Sequence, residues 1–184
     1  LVLSGTKEAQ TYLYINGTKY AADFNATSWT ATVSLSTDGT KTFSVTVKTS
    51  AGKASAATVV TTVRDRVVPT GSVKINNGDA STGSRDVMLS LTATDALSGV
   101  DKVRFTVDGG STWTNWEAFA ATRAITLTPG YATKEVQYQV CDKAGNVATF
   151  KDTIVYEFMP STPVVTSTVP AYTNGTSLTI SGTK

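Results

Sequence analysis

Apolar and polar residues alternate with a period of two along most of the chain. Trp29, Ala31, Val33 and Leu35 alternate with Thr30, Thr32 and Ser34, and Phe43, Val45 and Val47 with Ser44, Thr46 and Lys48. Farther on, Val87, Leu89, Leu91 and Ala93 share one face of their segment. So do Val103, Phe105 and Val107, and then Val136, Tyr138 and Val140. Successive side chains of an extended strand point to opposite faces, so each run offers one apolar face and leaves the other to Thr, Ser, Lys or Gln. This is the pattern of antiparallel sheets with one wet side. Turn-forming pairs separate the runs: Asn16-Gly17, Asp38-Gly39, Asn77-Gly78, Gly109-Gly110, Pro129-Gly130, Gly145-Asn146 and Asn174-Gly175. No stretch carries a 3.6-residue period of comparable quality. The expected class is all-β.

Internal repeats set the expected organisation. LVLSGTK at 1–7 returns as LTISGTK at 178–184, with five of seven residues identical at an offset of 177. A weaker match, at an offset of 93, relates 47–53 to 140–146. These spacings suit serial β-sandwiches, which take roughly 100 residues each. The first two units each close with a β-rich run, 58–63 and 153–158, and a Pro-bearing connector, 64–70 and 157–163. Proline cannot donate to a ladder, so it ends one sheet and stiffens the way into the next.

Strand by strand, the middle unit has a first strand at 71–78 ahead of its second at 86–95, whereas the first unit opens on its second strand, 1–7. After Val164 come a first strand (164–168) and a second (177–182). The expected domains are thus 1–66, a sandwich without its first strand; 67–159, a complete one; and 160–184, the first strands of a further unit. Two origins fit. The chain is a window of a longer tandem array whose export signal lies elsewhere, or separate subunits complete one another's sheets by strand addition, because an unpaired edge invites association.

Composition narrows the function. The 184 residues carry 16 Lys and Arg against 14 Asp and Glu, a net charge of +2 too dispersed for a nucleic-acid surface. There is no His and a single Cys, which removes His-based acid–base chemistry, Ser-His-Asp triads, Cys/His zinc sites and disulfide frameworks. No apolar run approaches the roughly 18 residues of a membrane span, and no signal peptide or lipidation motif is evident. Thr and Ser supply 51 residues, 34 and 17, and β-branched Thr suits solvated strand faces. That composition points to extracellular or cell-surface β-structure.

The segments SGTKEAQTYLYINGT, GSVKINNGDA, SLTATDALSGVDKVRFTVDGGSTWTNWEAF and VCDKAGNVATF together resemble bacterial Ig-like repeat domains, which occur in tandem in large surface proteins, adhesins and multidomain secreted enzymes. The resemblance covers essentially the whole chain and is most specific at TATDALSGVDKVRFTVDGGSTW and DKAGN; the first unit has Thr49-Ser50-Ala51-Gly52-Lys53 at the latter turn. It implies an Ig-like sandwich used as a spacer or binding module, usually without catalysis. It fixes no ligand, since one fold hosts many functions.

Candidate chemistry is sparse. In an Ig-like order, Asp95, Asp101 and Asp142 fall at one end of the middle sandwich, where the connector delivers Asp65. Converging carboxylates there would bind Ca²⁺ and stiffen the joint. Against this, Asp is an ordinary turn former, and Arg64 and Arg66 flank Asp65. Trp29 is in phase with its apolar neighbours and is expected in the core. Trp113 and Trp116, three apart on a strand, are expected on opposite faces, so with Phe119 they make a poor sugar platform. Cys141, out of phase with Val140, is expected to face away from the main core, either shielded by a neighbour or free for an intersubunit disulfide or covalent attachment. Asn16, Asn25 and Asn174 head glycosylation sequons, two of them at Asn-Gly turns. Glu117 and Glu135 show no partner, and no paired carboxylates mark a catalytic site. The expected function is a non-catalytic repeat of a fibre, stalk or surface layer, a semi-rigid spacer or filament-forming module. Its partners would be neighbouring units or subunits, with no nucleic acid and no membrane insertion. The alternative is an accessory carbohydrate-binding or adhesion module that contacts a surface glycan or cell receptor.

Overall fold

In the computed structural model, which describes residues 1–167, 175 and 177–183, the alternating segments become β-strands. In chain order these are β1 (Val2–Thr6), β2 (Thr11–Ile15), β3 (Thr18–Lys19), β4 (Ser28–Thr32), β5 (Gly39–Thr49), β6 (Thr58–Arg64), β7 (Thr70–Ile75), β8 (Ser81–Thr82), β9 (Asp86–Thr94), β10 (Val100–Thr106), β11 (Thr122–Thr126), β12 (Ala132–Asp142), β13 (Val147–Tyr156), β14 (Val164–Val165) and β15 (Gly182–Thr183). Among the described residues the helical content is a single 3-10 turn, Asn76–Gly78. The protein is all-β.

The strands assemble as Ig-like sandwiches. In the second, the sheet β11-β9-β7 packs on β10-β12-β13-β8. All its ladders are antiparallel except the short parallel β8–β13 pair. The first sandwich repeats the plan: β1-β4 stands for β9-β11, and β3-β2-β5-β6 supplies the counterparts of β10, β12 and β13. Equivalent backbone bonds fix the correspondence. Lys7 N donates to Thr27 O as Leu91 N donates to Ala121 O, each at 2.8 Å. Beyond them β14 and β15 form an isolated antiparallel pair.

Two separate cores result. Leu13, Ile15, Ala31, Val33 and Phe43 fill the first. The second centres on Leu89, Phe105, Leu127, Val136 and Tyr138, with the Phe105 and Tyr138 rings stacked at 5.3 Å. The Asn-Gly pairs act as turns for a physical reason. Asn16 (φ 50°) and Gly17 (φ 78°) both adopt the left-handed conformation that closes a two-residue hairpin with the right strand twist. Trp29 departs from expectation. It is half-buried rather than core, because its indole lies across Gly5 on the neighbouring strand and bends to the sheet edge, where Nε1 donates to Thr6 O (3.3 Å).

Candidate functional site

Asp65, Asp95 and Asp142 come from three separate segments: the connector after β6, the loop after β9 and the last residue of β12. Their carboxylates lie within 4.8 Å of one another. Asp95 Oδ1 organises its own loop by accepting the Leu97, Ser98 and Gly99 amides at 3.2, 2.9 and 2.7 Å. Asp142 does the same for the last hairpin. Its Oδ1 accepts Ala144 N and Asn146 N, both at 2.9 Å, and its Oδ2 accepts Asn146 Nδ2 at 2.8 Å. Those are turn-forming roles.

Asp65 reaches across the joint. Its Oδ1 accepts Val67 N (2.9 Å) within the connector, and its Oδ2 accepts Ser98 N (3.0 Å) from the second sandwich. Asn146 Nδ2 donates to the Asp65 carbonyl at 3.2 Å, so the connector is held by two loops at once. The Ser98 side chain, ahead of the Val67 amide, holds the Asp65 carboxyl below its ordinary value of 3.8. The aligned bond of that hydroxyl runs to Asp95 Oδ1 (3.3 Å), so on Asp65 it acts as a nearby O–H dipole.

Two expectations about this end of the molecule are corrected. Asp101 stays out of the cluster: it sits exposed at a β-bulge between Val100 and Lys102 and pairs with Lys102 at 3.5 Å. The arginines flanking Asp65 turn away from it, Arg64 and Arg66 both reaching Asp38 at 3.9 and 3.0 Å. Among the described residues none of the three clustered carboxylates forms an ion pair. Three carboxylates therefore converge with N–H and O–H dipoles as their hydrogen-bonded neighbours. Ser98 and Asn146 escaped the sequence reading. The DKAGN segment marked a turn, but nothing in it showed that the Asn side chain would bridge to a connector 81 residues earlier.

The other candidates resolve individually. Trp113 and Trp116 do not take opposite faces. Their segment returns beside β10 with Thr114 N bonded to Phe105 O and Glu117 N to Val103 O. Three residues then span what β10 spans in two, a bulge that breaks the alternation. Both rings converge on Arg104, whose guanidinium carbon lies 4.8 and 4.5 Å from their centroids. Phe119 is exposed apart from them. Cys141 is buried although its strand neighbour Val140 takes the core face. Its Sγ donates to Asp142 O (3.3 Å), and burial raises the thiol above its ordinary pKa. Glu117 and Glu135 each meet a basic side chain rather than a second carboxylate. Glu117 lies 2.8 Å from Arg123 Nε, as a charge contact without hydrogen-bond alignment, and Glu135 lies 3.1 Å from Lys151. Asn16 uses its side chain to accept Ser44 N (2.8 Å), Asn25 is exposed, and the Asn174 sequon lies outside the described residues. Among the described residues no helix is long and apolar enough to cross a membrane.

No protein-family profile and no curated protein match the chain. Solved structures do, 23 of them. One is the PKD1 domain of Vibrio anguillarum Epp (15% identity, TM-score 0.39, covering 52% of this chain and 100% of that one). Another is the fibronectin(III)-like modules of Clostridium thermocellum CbhA (17%, 0.45, 85% and 86%). A third is a 1.5-MDa bacterial ice-binding adhesin described for host cell surface retention (18%, 0.46, 89% and 59%). The Ig-like assignment rests on the strand order itself, and these likenesses assign no ligand and no partner.

Proposed function

We propose that the chain is a non-catalytic structural module of an extracellular or cell-surface protein, its serial sandwiches acting as a semi-rigid spacer. The observation that carries this reading is the stapled joint. Asp65 and its carbonyl are bonded to loops of the following sandwich, and Pro69, fully buried, fixes the connector just before β7. A freely jointed pair would need neither. The Thr- and Ser-rich composition and the net charge of +2 support a solvated, near-neutral exterior. The guanidinium of Arg104 already occupies the two Trp faces that a sugar ring would need, which counts against a glycan-binding platform there.

The same reading takes Ca²⁺ as the counter-ion of the joint. Asp65, Asp95 and Asp142 would hold it: they offer oxygen donors only, the preference of a hard divalent cation, and among the described residues none of them is in an ion pair. Adding Ca²⁺ is expected to raise the melting temperature of the full chain, EDTA to reverse the gain, and Asp95→Asn to remove it. No shift on adding Ca²⁺ would contradict the ion and leave a joint held by hydrogen bonds alone. The spacer itself is tested by small-angle scattering of the full chain, whose profile should fit one fixed arrangement of the two sandwiches. A profile that needs a broad ensemble would defeat it.

A further inference from the structure

The phase of β10 sends Val103 and Phe105 into the second core, so Lys102 and Arg104 stand on the outer face of their sheet, opposite Cys141 and Gln139 of β12. Arg104 is held from three directions. Trp113 and Trp116 lie against its guanidinium, and its Nε donates to Gln139 Oε1 at 2.8 Å. Gln139 is anchored in turn, its Nε2 donating to Thr149 Oγ1 at 3.1 Å. With Nε spent on the sheet, the two Nη groups are the free end of a planar, permanently charged fork. Among the described residues they have no hydrogen-bond acceptor, and Arg104 forms no ion pair.

The surroundings offer the same sign of chemistry. Both indoles carry an N–H without a partner among the described residues, and the Lys102 ammonium lies 5.7 Å from the Trp116 ring. Lys102 pairs with Asp101 at 3.5 Å, but both side chains are nearly half exposed, and such surface pairs exchange readily. The acidic residue that this face does carry, Glu135, is engaged by Lys151 and Gln137. The patch therefore presents donors and cations with no free acceptor. The first sandwich builds a similar layer with the roles exchanged. Tyr12 and Tyr14 flank the core residue Leu13, and Lys19 and Lys48 sit 3.3 and 4.4 Å over their rings.

We propose that the Trp113–Arg104–Trp116 clamp, with Lys102 beside it, docks an extended acidic segment of a partner polypeptide. One carboxylate accepts from both Nη groups of Arg104, the bidentate arrangement that a guanidinium fork favours. A second, two residues along the segment, replaces Asp101 at Lys102. The spacing supports a peptide: alternate residues of a strand recur at about 7 Å, so cations on alternate residues of β10 match carboxylates on alternate residues of an extended partner. With Arg104 against both rings, recognition runs through the charged fork and not through stacking on a sugar. The indoles fix the fork before the partner arrives, which lowers the ordering cost of binding. The inference needs only the face of the second sandwich, not the spacer reading.

The test titrates the full chain with the peptide Glu-Thr-Glu-Thr-Glu-Thr and follows the three indole N–H signals by NMR. Those of Trp113 and Trp116 should shift and saturate while that of Trp29 stays in place, and the Gln-Thr analogue should move none of them. Raising the salt to 0.5 M should weaken binding several-fold. Arg104→Gln should weaken it at least tenfold, and Arg104→Lys, which keeps the charge but loses the fork, several-fold. Lys102→Gln should weaken it less, and Lys74→Gln, on the outer face of the opposite sheet, should change nothing. Indole signals that never shift, or an affinity untouched by Arg104→Lys and Lys102→Gln, would overturn the proposal. So would an oligogalacturonate that binds as tightly as the peptide, since that would assign the clamp to acidic glycans. None of these results bears on the spacer reading, which concerns the joint.

Discussion

Tyr138 shows what a single residue does in this fold. Its ring is wholly buried at the centre of the second core, and its hydroxyl is buried without a hydrogen-bond partner. Desolvation lifts its ionisation from 10.0 to about 12. A folded-state value above the unfolded one means that the neutral phenol contributes stability fully below pH 10, and that this is lost as pH rises toward 12. Tyr138→Phe should therefore leave the melting temperature at neutral pH unchanged or higher, since an unsatisfied hydroxyl is a cost. It should also flatten the alkaline decline expected of the parent, which melting curves across pH 9 to 12 will test. Asp142 is the contrasting case, since it is buried but three N–H groups depend on it. Asp142→Ala should destabilise the chain by about 2–3 kcal/mol in urea unfolding, because hydrogen bonds to a charged acceptor are worth about 1.5–3 kcal/mol each and water replaces part of that at these half-exposed donors. Asp65 carries the opposite pH sign to Tyr138. Its depressed value means stability present above its ordinary value near 3.8 and lost as pH falls below it. Asp65→Asn should blunt the acid limb of the melting profile.

At the scale of strands, the alternation was a reliable guide where both faces of a segment meet ordinary neighbours. Leu89, Val103, Phe105, Val136 and Val140 all fall in the core as their phase requires. It failed where a backbone irregularity intervenes. The extra residue beside β10 brings Trp113 and Trp116 to one side, and the bulge at Asp101 turns that carboxylate out of its expected cluster. Trp29 shifted for a third reason, the missing side chain at Gly5, which gives the indole space to slide to the edge. None of these can be read from period alone, because each depends on the residue across the ladder. Close approach also makes Gly71 a sensitive point in β7. A Cβ there would overlap the Thr92 carbonyl and lie 3.1 Å from the Phe150 ring. Since backbone cannot yield as a side-chain tip can, Gly71→Ala should cost about 1–3 kcal/mol, the range of overpacked sites, in equilibrium unfolding.

For the whole molecule, the joint was the part least accessible to sequence reasoning. That acidic residues would gather at one end of the second sandwich followed from the loop order of an Ig-like fold. That Arg64 and Arg66 would pair with Asp38 and leave Asp65 to Ser98 and Asn146 did not follow, because those partners lie 26 to 81 residues away in the chain. The consequence is mechanical. Two sandwiches with separate cores share one connector, and what couples their orientations is the bond from Ser98 N to the Asp65 carboxylate together with the neutral bond from the Asn146 side chain to the Asp65 carbonyl. Asn146→Ala removes one bridge to the connector and, unlike Asp142→Ala, keeps the carboxylate in its turn. It should leave each core intact while loosening the joint, visible as a rise in fast amide motion at residues 65–68. Residual dipolar couplings of the amides in β2, β5 and β6 and in β9, β10 and β12 test the spacer account most directly. The account predicts that one alignment tensor fits both sandwiches. Two tensors of clearly different magnitude would mean that the sandwiches reorient independently, and would contradict it.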